Sequence, residues 1–396
     1  MEWTHCRVSD LAEIISGGTP KTSIESYWNG NIPWLSVKDF SGDSKYVSST
    51  EKTITEEGLN HSAANLLDVN DIVISARGTV GELAMLSVPM SLNQSCFGLR
   101  PKCDADYLYY LLKIKVAELK QRANGGVFGT IIRTTFDSIK CTLPLELKDQ
   151  HRIASILSTY DTFIENNTKR IRLLEKMAEN LYKECFSYGK IIKGGTIVRL
   201  TDIIQITRGL SYSTAEIDCE EGLDLINLKN IQAYGGFRYD GTKKFCGKYK
   251  NEQIVCEGDL VMGVTDMTQD RRTVGSVALI PKTDKLSVIS ADLIKISSSI
   301  SSVFLFGMFK YGNVSKYVAQ FANGANVLHL RPKALHNIKV LLPNPNLINK
   351  YVDIVSPMVA EMNKLYVLSE KLARQRDLLL PRLMSGKLEV KEELLE

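Results

Sequence analysis

Residues 122–144 read RANGGVFGTIIRTTFDSIKCTLP, and residues 321–343 read FANGANVLHLRPKALHNIKVLLP. At a constant spacing of 199, Ala123-Asn124-Gly125 falls on Ala322-Asn323-Gly324, Ile139-Lys140 on Ile338-Lys339, and Leu143-Pro144 on Leu342-Pro343. So many ungapped identities mark an internal duplication. Working outward, Asp71-Ile72-Val73-Ile74 matches Asp259-Leu260-Val261-Met262, and Thr79-Val80-Gly81 matches Thr273-Val274-Gly275. Trp34–Phe40 matches Leu225–Ile231, and Leu11–Ile15 matches Leu200–Ile204. The spacing drifts between these pairs, as it does when two copies of one fold carry loops of different length.

Each copy has the texture of short strands. The runs Asp71–Ser75, Gly81–Leu86, Asp259–Gly263, Gly275–Ile280 and Val288–Ile296 are broken by Gly, Pro, Asn and Asp. Helical spacing is confined to Asp106–Arg122 and its expected counterpart Val303–Phe321. After each Leu-Pro the texture changes. Lys148–Tyr188 and Leu347–Met384 carry apolar residues at three- and four-residue spacing over several heptads, with Pro357 as one blemish. Helices of ~38 residues extend about 57 Å at ~1.5 Å per residue. Exposed apolar stripes of that length need a partner, and each tract is the obvious partner of the other. The expected seam runs through Ile153, Tyr160, Asn167, Leu174 and Leu181 on one tract and Val352, Val359, Tyr366, Ala373 and Leu380 on the other. Asn167 is placed to fix register. The fold class is therefore α+β, with two similar mixed, strand-rich domains (1–146 and 193–345) separated by two long antiparallel coiled-coil-like helices (147–192 and 346–396).

Composition narrows the function. The chain has 396 residues, 44% hydrophobic and 24% charged, with a formal net charge of +4. No apolar run is long enough to span a membrane, and the first residues lack a signal-peptide pattern, so a cytoplasmic protein is expected. The eight cysteines show neither CxxC nor zinc-like spacing, which suits reduced thiols. Only residues 193–345 are mildly basic, with 19 Lys and Arg against 14 Asp and Glu. The 236–243 segment (GFRYDGTK) has Thr-Lys where a phosphate loop needs Lys-Ser or Lys-Thr. HExxH, GxSxG and GxGxxG are missing, and the five histidines do not pair. Nothing in the sequence argues for chemistry performed by this chain.

The alternation of globular repeat and long helix resembles the DNA-specificity subunit of type I restriction-modification systems along essentially the whole chain. Gly17-Gly18-Thr19-Pro20 with Tyr27–Trp34 looks like that family's target-recognition-domain start. Ser75–Gly81 looks like its Arg-Gly-Thr segment, Leu92–Cys96 like its Asn-Gln segment, and Gln150-His151-Arg152 like the start of its first conserved helix. Leu378–Leu388 looks like its C-terminus. The second repeat departs from the pattern, with Leu225 for Trp34, Asp270-Arg271-Arg272-Thr273 after a longer insertion, and Ala291-Asp292 near the Asn-Gln position.

The resemblance implies a non-catalytic subunit in which each domain reads one half of a split target on double-stranded DNA. The paired helices act as a spacer, with two methyltransferase (M) subunits and restriction/translocase (R) subunits as partners and no membrane contact. It implies no cofactor or metal on this chain, with S-adenosylmethionine and ATP on the partners. The alternative is a stand-alone bipartite DNA-binding regulator. Arg and Lys suit guanine edges or phosphates, and Asn and Gln suit adenine. The candidate DNA-binding residues are Lys21, Lys38, Arg77, Asn93 and Gln94 in the first repeat. In the second they are Arg208, Lys229, Lys243, Lys244, Arg271 and Arg272.

Overall fold

The N- and C-terminal strands of each repeat close on each other. Trp3–Arg7 pairs antiparallel with Lys140–Pro144, and Thr196–Arg199 pairs with Lys339–Leu342. This closure explains why the duplicated Ile-Lys…Leu-Pro run survives, since it is the last strand of each domain. The structure is a computed structural model that describes residues 1–40, 44–123, 129–186, 195–217, 219, 221–283 and 285–390. Asn124-Gly125 of the repeated motif and the expected border at 192/193 lie outside the described residues.

The chain divides into two compact units, Met1–Asn167 with Leu368–Glu396, and Thr168–Val367. In the first unit one sheet runs in the order Ala12–Ser16, Cys96–Pro101, Ile72–Ser75, Leu83–Leu86, Tyr46–Val47. A second sheet runs Lys52–Ile54, Trp28–Leu35, Met90–Leu92, Leu66–Leu67. The second unit repeats this. Its first sheet is Gln205–Arg208, Leu293–Ser297, Leu260–Gly263, Val277–Leu279, and its second is Lys243–Phe245, Leu223–Ile226, Ser287–Ile289, Ile254–Val255. Even the one parallel pairing in the second sheet recurs, with Leu35 opposite Leu92 in the first unit and Ile226 opposite Ile289 in the second.

Two elements depart from expectation. The apolar run Val288–Ile296 is two strands, separated by a tight turn in which the Leu293 amide donates to Ser290 O. The expected single helix Val303–Phe321 is two, Ser302–Lys310 and Val314–Ala319. Between them Asn313 takes φ +61°, a left-handed conformation that ends a helix. The Ala105–Arg122 helix of the first unit is unbroken, N-capped by Asp104 whose carboxylate accepts the Tyr107 amide at 2.8 Å.

The long helices are Leu147–Phe186 and Pro345–Met384, and both Pro357 and Pro381 lie inside the second. In the first unit, Ile153, Ala154 and Leu157 of one helix join Leu380, Leu383 and Met384 of the other in a single core with the Ala105–Arg122 helix. Burying each of these leucine, isoleucine and methionine side chains stabilises by ~1.5–3 kcal/mol. Gly386, at φ +69°, ends the last helix where an added Cβ would come within 2.8 Å of the Trp3 ring.

The pairing is antiparallel. In the first unit Asn167 Nδ2 donates to Ser369 Oγ at 3.2 Å, and the buried Arg376 pairs with the buried Asp161. In the second unit Arg170 meets Glu361 at 3.0 Å, and Tyr182 and Phe186 pack on Tyr351. Of the expected seam residues, Ile153, Asn167 and Leu380 are buried. Tyr160, Leu174, Leu181, Val352, Val359, Tyr366 and Ala373 are half-buried. The full burial lies on a 3.6-residue stripe through Leu157, Ile171, Ala178 and Tyr182, as expected of straight helices that also pack on their domains.

Candidate nucleic-acid interface

Four chain reversals of the first domain gather at one end of its two sheets. The strand ending at Ser16 turns into Gly17-Gly18, whose amides donate to Cys96 O (3.3 Å) and Leu92 O (2.8 Å). A Cβ on Gly17 would sit 1.9 Å from Asn93 O, so only glycine fits this crossing. The Trp34 indole Nε1 donates to Gly18 O at 2.9 Å. The strand ending at Leu35 runs into a 3₁₀ turn, Val37–Asp39, held by Ser36 N and Oγ donating to Asp39 Oδ2, each at 2.7 Å. That turn carries Lys38 at its exposed tip. The Asn93 amide donates to Leu35 O (2.9 Å) and the Ala76 amide to Ser95 O (2.7 Å), joining the remaining two reversals to the same end. Arg77 stands exposed in the 76–81 hairpin, whose glycines have φ +76° (Gly78) and +86° (Gly81).

The second domain builds the same end with the same bonds. Gly209 N donates to Leu293 O (3.1 Å), Leu210 N to Ile289 O (2.8 Å), Ser290 N to Ile226 O (2.9 Å), and Val264 N to Asp292 O (2.8 Å). A Cβ on Gly209 would lie 2.0 Å from Ser290 O, the counterpart of the Gly17 contact. Asn227 N donates to Asn230 Oδ1 at 2.9 Å, so Lys229 occupies the tip that Lys38 occupies in the first domain. This register corrects one alignment. The counterparts of Asn93-Gln94 are Ser290-Ala291, one residue before Ala291-Asp292. The expected lengthening of the Arg-Gly-Thr loop holds, with residues 264–274 standing where the first domain has 76–80.

The structure thus brings Lys38, Arg77, Asn93 and Gln94 together at one edge, and Lys229, Arg271 and Arg272 on loops of the equivalent edge. Lys21 and Arg208 are exposed beside the two glycine crossings. Their settings differ. Asn93 Oδ1 accepts the Ser95 amide at 2.9 Å and shapes the turn, while the Gln94 carboxamide accepts from the Thr19 hydroxyl. Lys244 is tied to Asp224, and Arg272 to Asp270. Lys243 is half-buried on the strand after Gly241, which packs on Lys229. Lys229 feels the Asp240 carboxylate, whereas among the described residues Lys38, Arg77 and Arg271 have no carboxylate partner and are free to meet a phosphate or a base edge.

Sequence reasoning missed the residue that holds the longer loop. Asp266, 2% exposed, accepts the amides of Thr268 (2.9 Å), Thr273 (2.6 Å) and Val274 (3.2 Å) and the Thr268 hydroxyl (2.9 Å). Burial works to raise its pKa, and these donors outweigh it, so the carboxyl sits below its ordinary range. Gln269 Nε2 ties the loop to Ala325 O at 2.9 Å, beside the exposed Asn323 and His329. A lone Asp or Gln carries no spacing signal that sequence could reveal. Among the described residues no three His, Cys, Asp or Glu side chains converge as a metal site, and no helix is long and apolar enough to cross a membrane.

Residues 1–176 match the family model described as the type I restriction modification DNA specificity domain. The chain is 25% identical to the MjaIX specificity subunit of Methanocaldococcus jannaschii, over 99% of this chain and 94% of that protein. It is 24% identical to the MjaVIII specificity subunit of the same organism, over 87% of this chain and 83% of that one. The crystal structure of the type I restriction-modification S subunit from M. genitalium covers 99% of this chain and 97% of its own, at TM-score 0.59 and 15% identity, which shows a shared fold. The described residues hold two copies of one loop-bearing, two-sheet domain, and the first copy lies within the residues matched to the DNA specificity domain. The second copy, beyond the matched residues, shares the strand order of the first apart from the edge strand Tyr46–Val47, which has no counterpart among the described residues. Residues 1–176 thus carry a type I restriction modification DNA specificity domain, and along nearly its whole length the chain is similar to type I specificity subunits.

Proposed function

We propose that the chain reads a two-part DNA target, one half with each domain, and carries the methyltransferase subunits, and with them the restriction subunits, of a type I complex. One observation carries the reading: the same edge is built twice, by the same backbone hydrogen bonds, with different residues on its loops. Two readers of equal architecture and unequal side chains suit two different half-sites. On this reading the chain works in the cytoplasm and performs no chemistry, while S-adenosylmethionine and ATP bind to its partners.

The scaffold role is favoured over a stand-alone regulator by apolar side chains that the paired helices leave outside. In the first unit these are Phe163, Leu368 and Leu378, and in the second Leu173, Met177 and Ile354, all about half exposed or more. Partners that cover them remove that surface from water. Co-expression with the methyltransferase subunit tests this, with a complex that survives gel filtration as the expected result. A chain that binds its target tightly alone and leaves the methyltransferase behind is a regulator instead.

A further inference from the structure

The 264–274 loop of the second domain has a second face. Its Asp270 and Arg271 line a groove of about 860 Å³ together with Arg172, Lys176 and Lys183 of the first long helix and Lys310, Ser315 and Lys316 of the broken helix pair. All belong to the second compact unit. Six basic side chains line the groove against three carboxylates. The carboxylates are already engaged: Glu175 with Lys310, Glu179 with Lys176 and Lys183, and Asp270 with Arg272. Arg172, Arg271 and Lys316 are left as surplus cations, with no carboxylate partner among the described residues. The Ser315 hydroxyl, on a residue only 8% exposed, finds no hydrogen-bond partner there either. Arg271 is held at φ +52°, a left-handed conformation that non-glycine residues rarely adopt. The first domain has neither the inserted loop nor the helix break.

We propose that this groove takes the sugar-phosphate backbone of the DNA beside the second half-site, with Arg172, Arg271 and Lys316 as phosphate contacts and not base readers. The inference rests on the DNA-recognition reading above. A space of this size suits one backbone and excludes a duplex. An acidic protein segment would also suit surplus cations. DNA is favoured because the loop that brings Arg271 to the groove leaves the reading edge at Val264, where its amide is bonded to Asp292 O. The loop therefore runs from the reading edge to the groove, so one duplex read at that edge would offer its backbone to the cations on the same loop.

The test measures binding of the full-length chain to two duplexes over a range of salt. One carries the target found by methylation sequencing, the other a random sequence. Each phosphate contact contributes about 0.9 to the slope of log affinity against log salt. Arg271→Ala and Lys316→Ala should each lower the slope by about that amount on both duplexes and leave the preference between them unchanged. Arg271→Lys should keep the slope. Arg271→Gly, which relieves the strained backbone, should lose it while melting no lower than wild type, which separates contact from folding. An unchanged slope with a reduced preference for the target would make Arg271 a base reader and overturn the proposal. Unchanged DNA binding with loss of the methyltransferase partner would assign the groove to a protein and overturn it equally. A wild-type chain that binds both duplexes alike would instead sink the specificity reading, and the slope on the random duplex would still decide the groove.

Discussion

Arg77 sits in the 76–81 hairpin with Gly78 beside it, exposed and without a carboxylate partner among the described residues. A bidentate base contact is worth ~1–3 kcal/mol of discrimination. Arg77→Ala should relax recognition at one half-site, roughly 5- to 150-fold, and leave the other intact, as read by methylation of target variants. Equal losses at both half-sites would contradict separate readers. Asp266 gives the complementary prediction for the second domain. Asp266→Ala strips a buried acceptor from three amides and a hydroxyl, at ~1–3 kcal/mol for each donor left unsatisfied, so the second half-site should lose recognition while the first persists. Its carboxyl is depressed in the folded state. Its contribution is therefore present above the ordinary carboxylate pKa of about 3.9 and is lost as pH falls through the lower folded value. Protection of the Thr268, Thr273 and Val274 amides from hydrogen exchange, taken against the intrinsic rate at each pH, should be high at neutral pH and fall only in acid. Protection no higher at pH 7 than at pH 3 would show that Asp266 does not hold the loop.

The elements were legible in the sequence to very different degrees. The duplication, with Leu-Pro at the end of each copy, and the two long helices follow from spacing alone, because each rests on many residues acting together. The Ser290–Asp292 turn was not legible: it contains neither Gly nor Pro, and apolar residues flank it on both sides. The break at Asn313 was missed because Gly312-Asn313 sits inside a helical pattern that continues on either side. At the reading edges, Arg77 and Lys38 could be picked from motifs, but the tie of Lys244 to Asp224 and the one-residue register at Ser290 depend on pairings between distant strands. The helix pair offers a prediction at this scale. Asp161 accepts from both Arg376 and the Tyr110 hydroxyl, and the buried Lys45 beside it bonds Asp106 and Ser158 Oγ (2.9 Å). Breaking a buried pair by removing one partner costs ~3–5 kcal/mol, whereas replacing both by apolar residues is often neutral. Arg376→Met should lower the melting temperature by several degrees, and Asp161→Leu added to it should recover much of the loss. Equal destabilisation by single and double variants would mean that the pair contributes packing and not charge.

For the molecule as a whole, the compact units divide each long helix, the first between Asn167 and Thr168 and the second between Val367 and Leu368. If the helices space the readers, their length sets the gap between half-sites. Four residues inserted at both points add ~6 Å of rise to each helix, close to two base pairs at ~3.4 Å. The gap should lengthen by one or two base pairs with both half-sites unchanged. A folded variant that modifies DNA at the old spacing would show that the helices are not the ruler. The central claim is that one chain carries two independent readers. Methylation sequencing of DNA from cells expressing this chain with its methyltransferase tests it most directly. The expected result is one modified motif made of two unlike half-sites at a fixed spacing, of which Arg77→Ala should degrade only one. A single continuous motif, or modification without sequence preference, would contradict it.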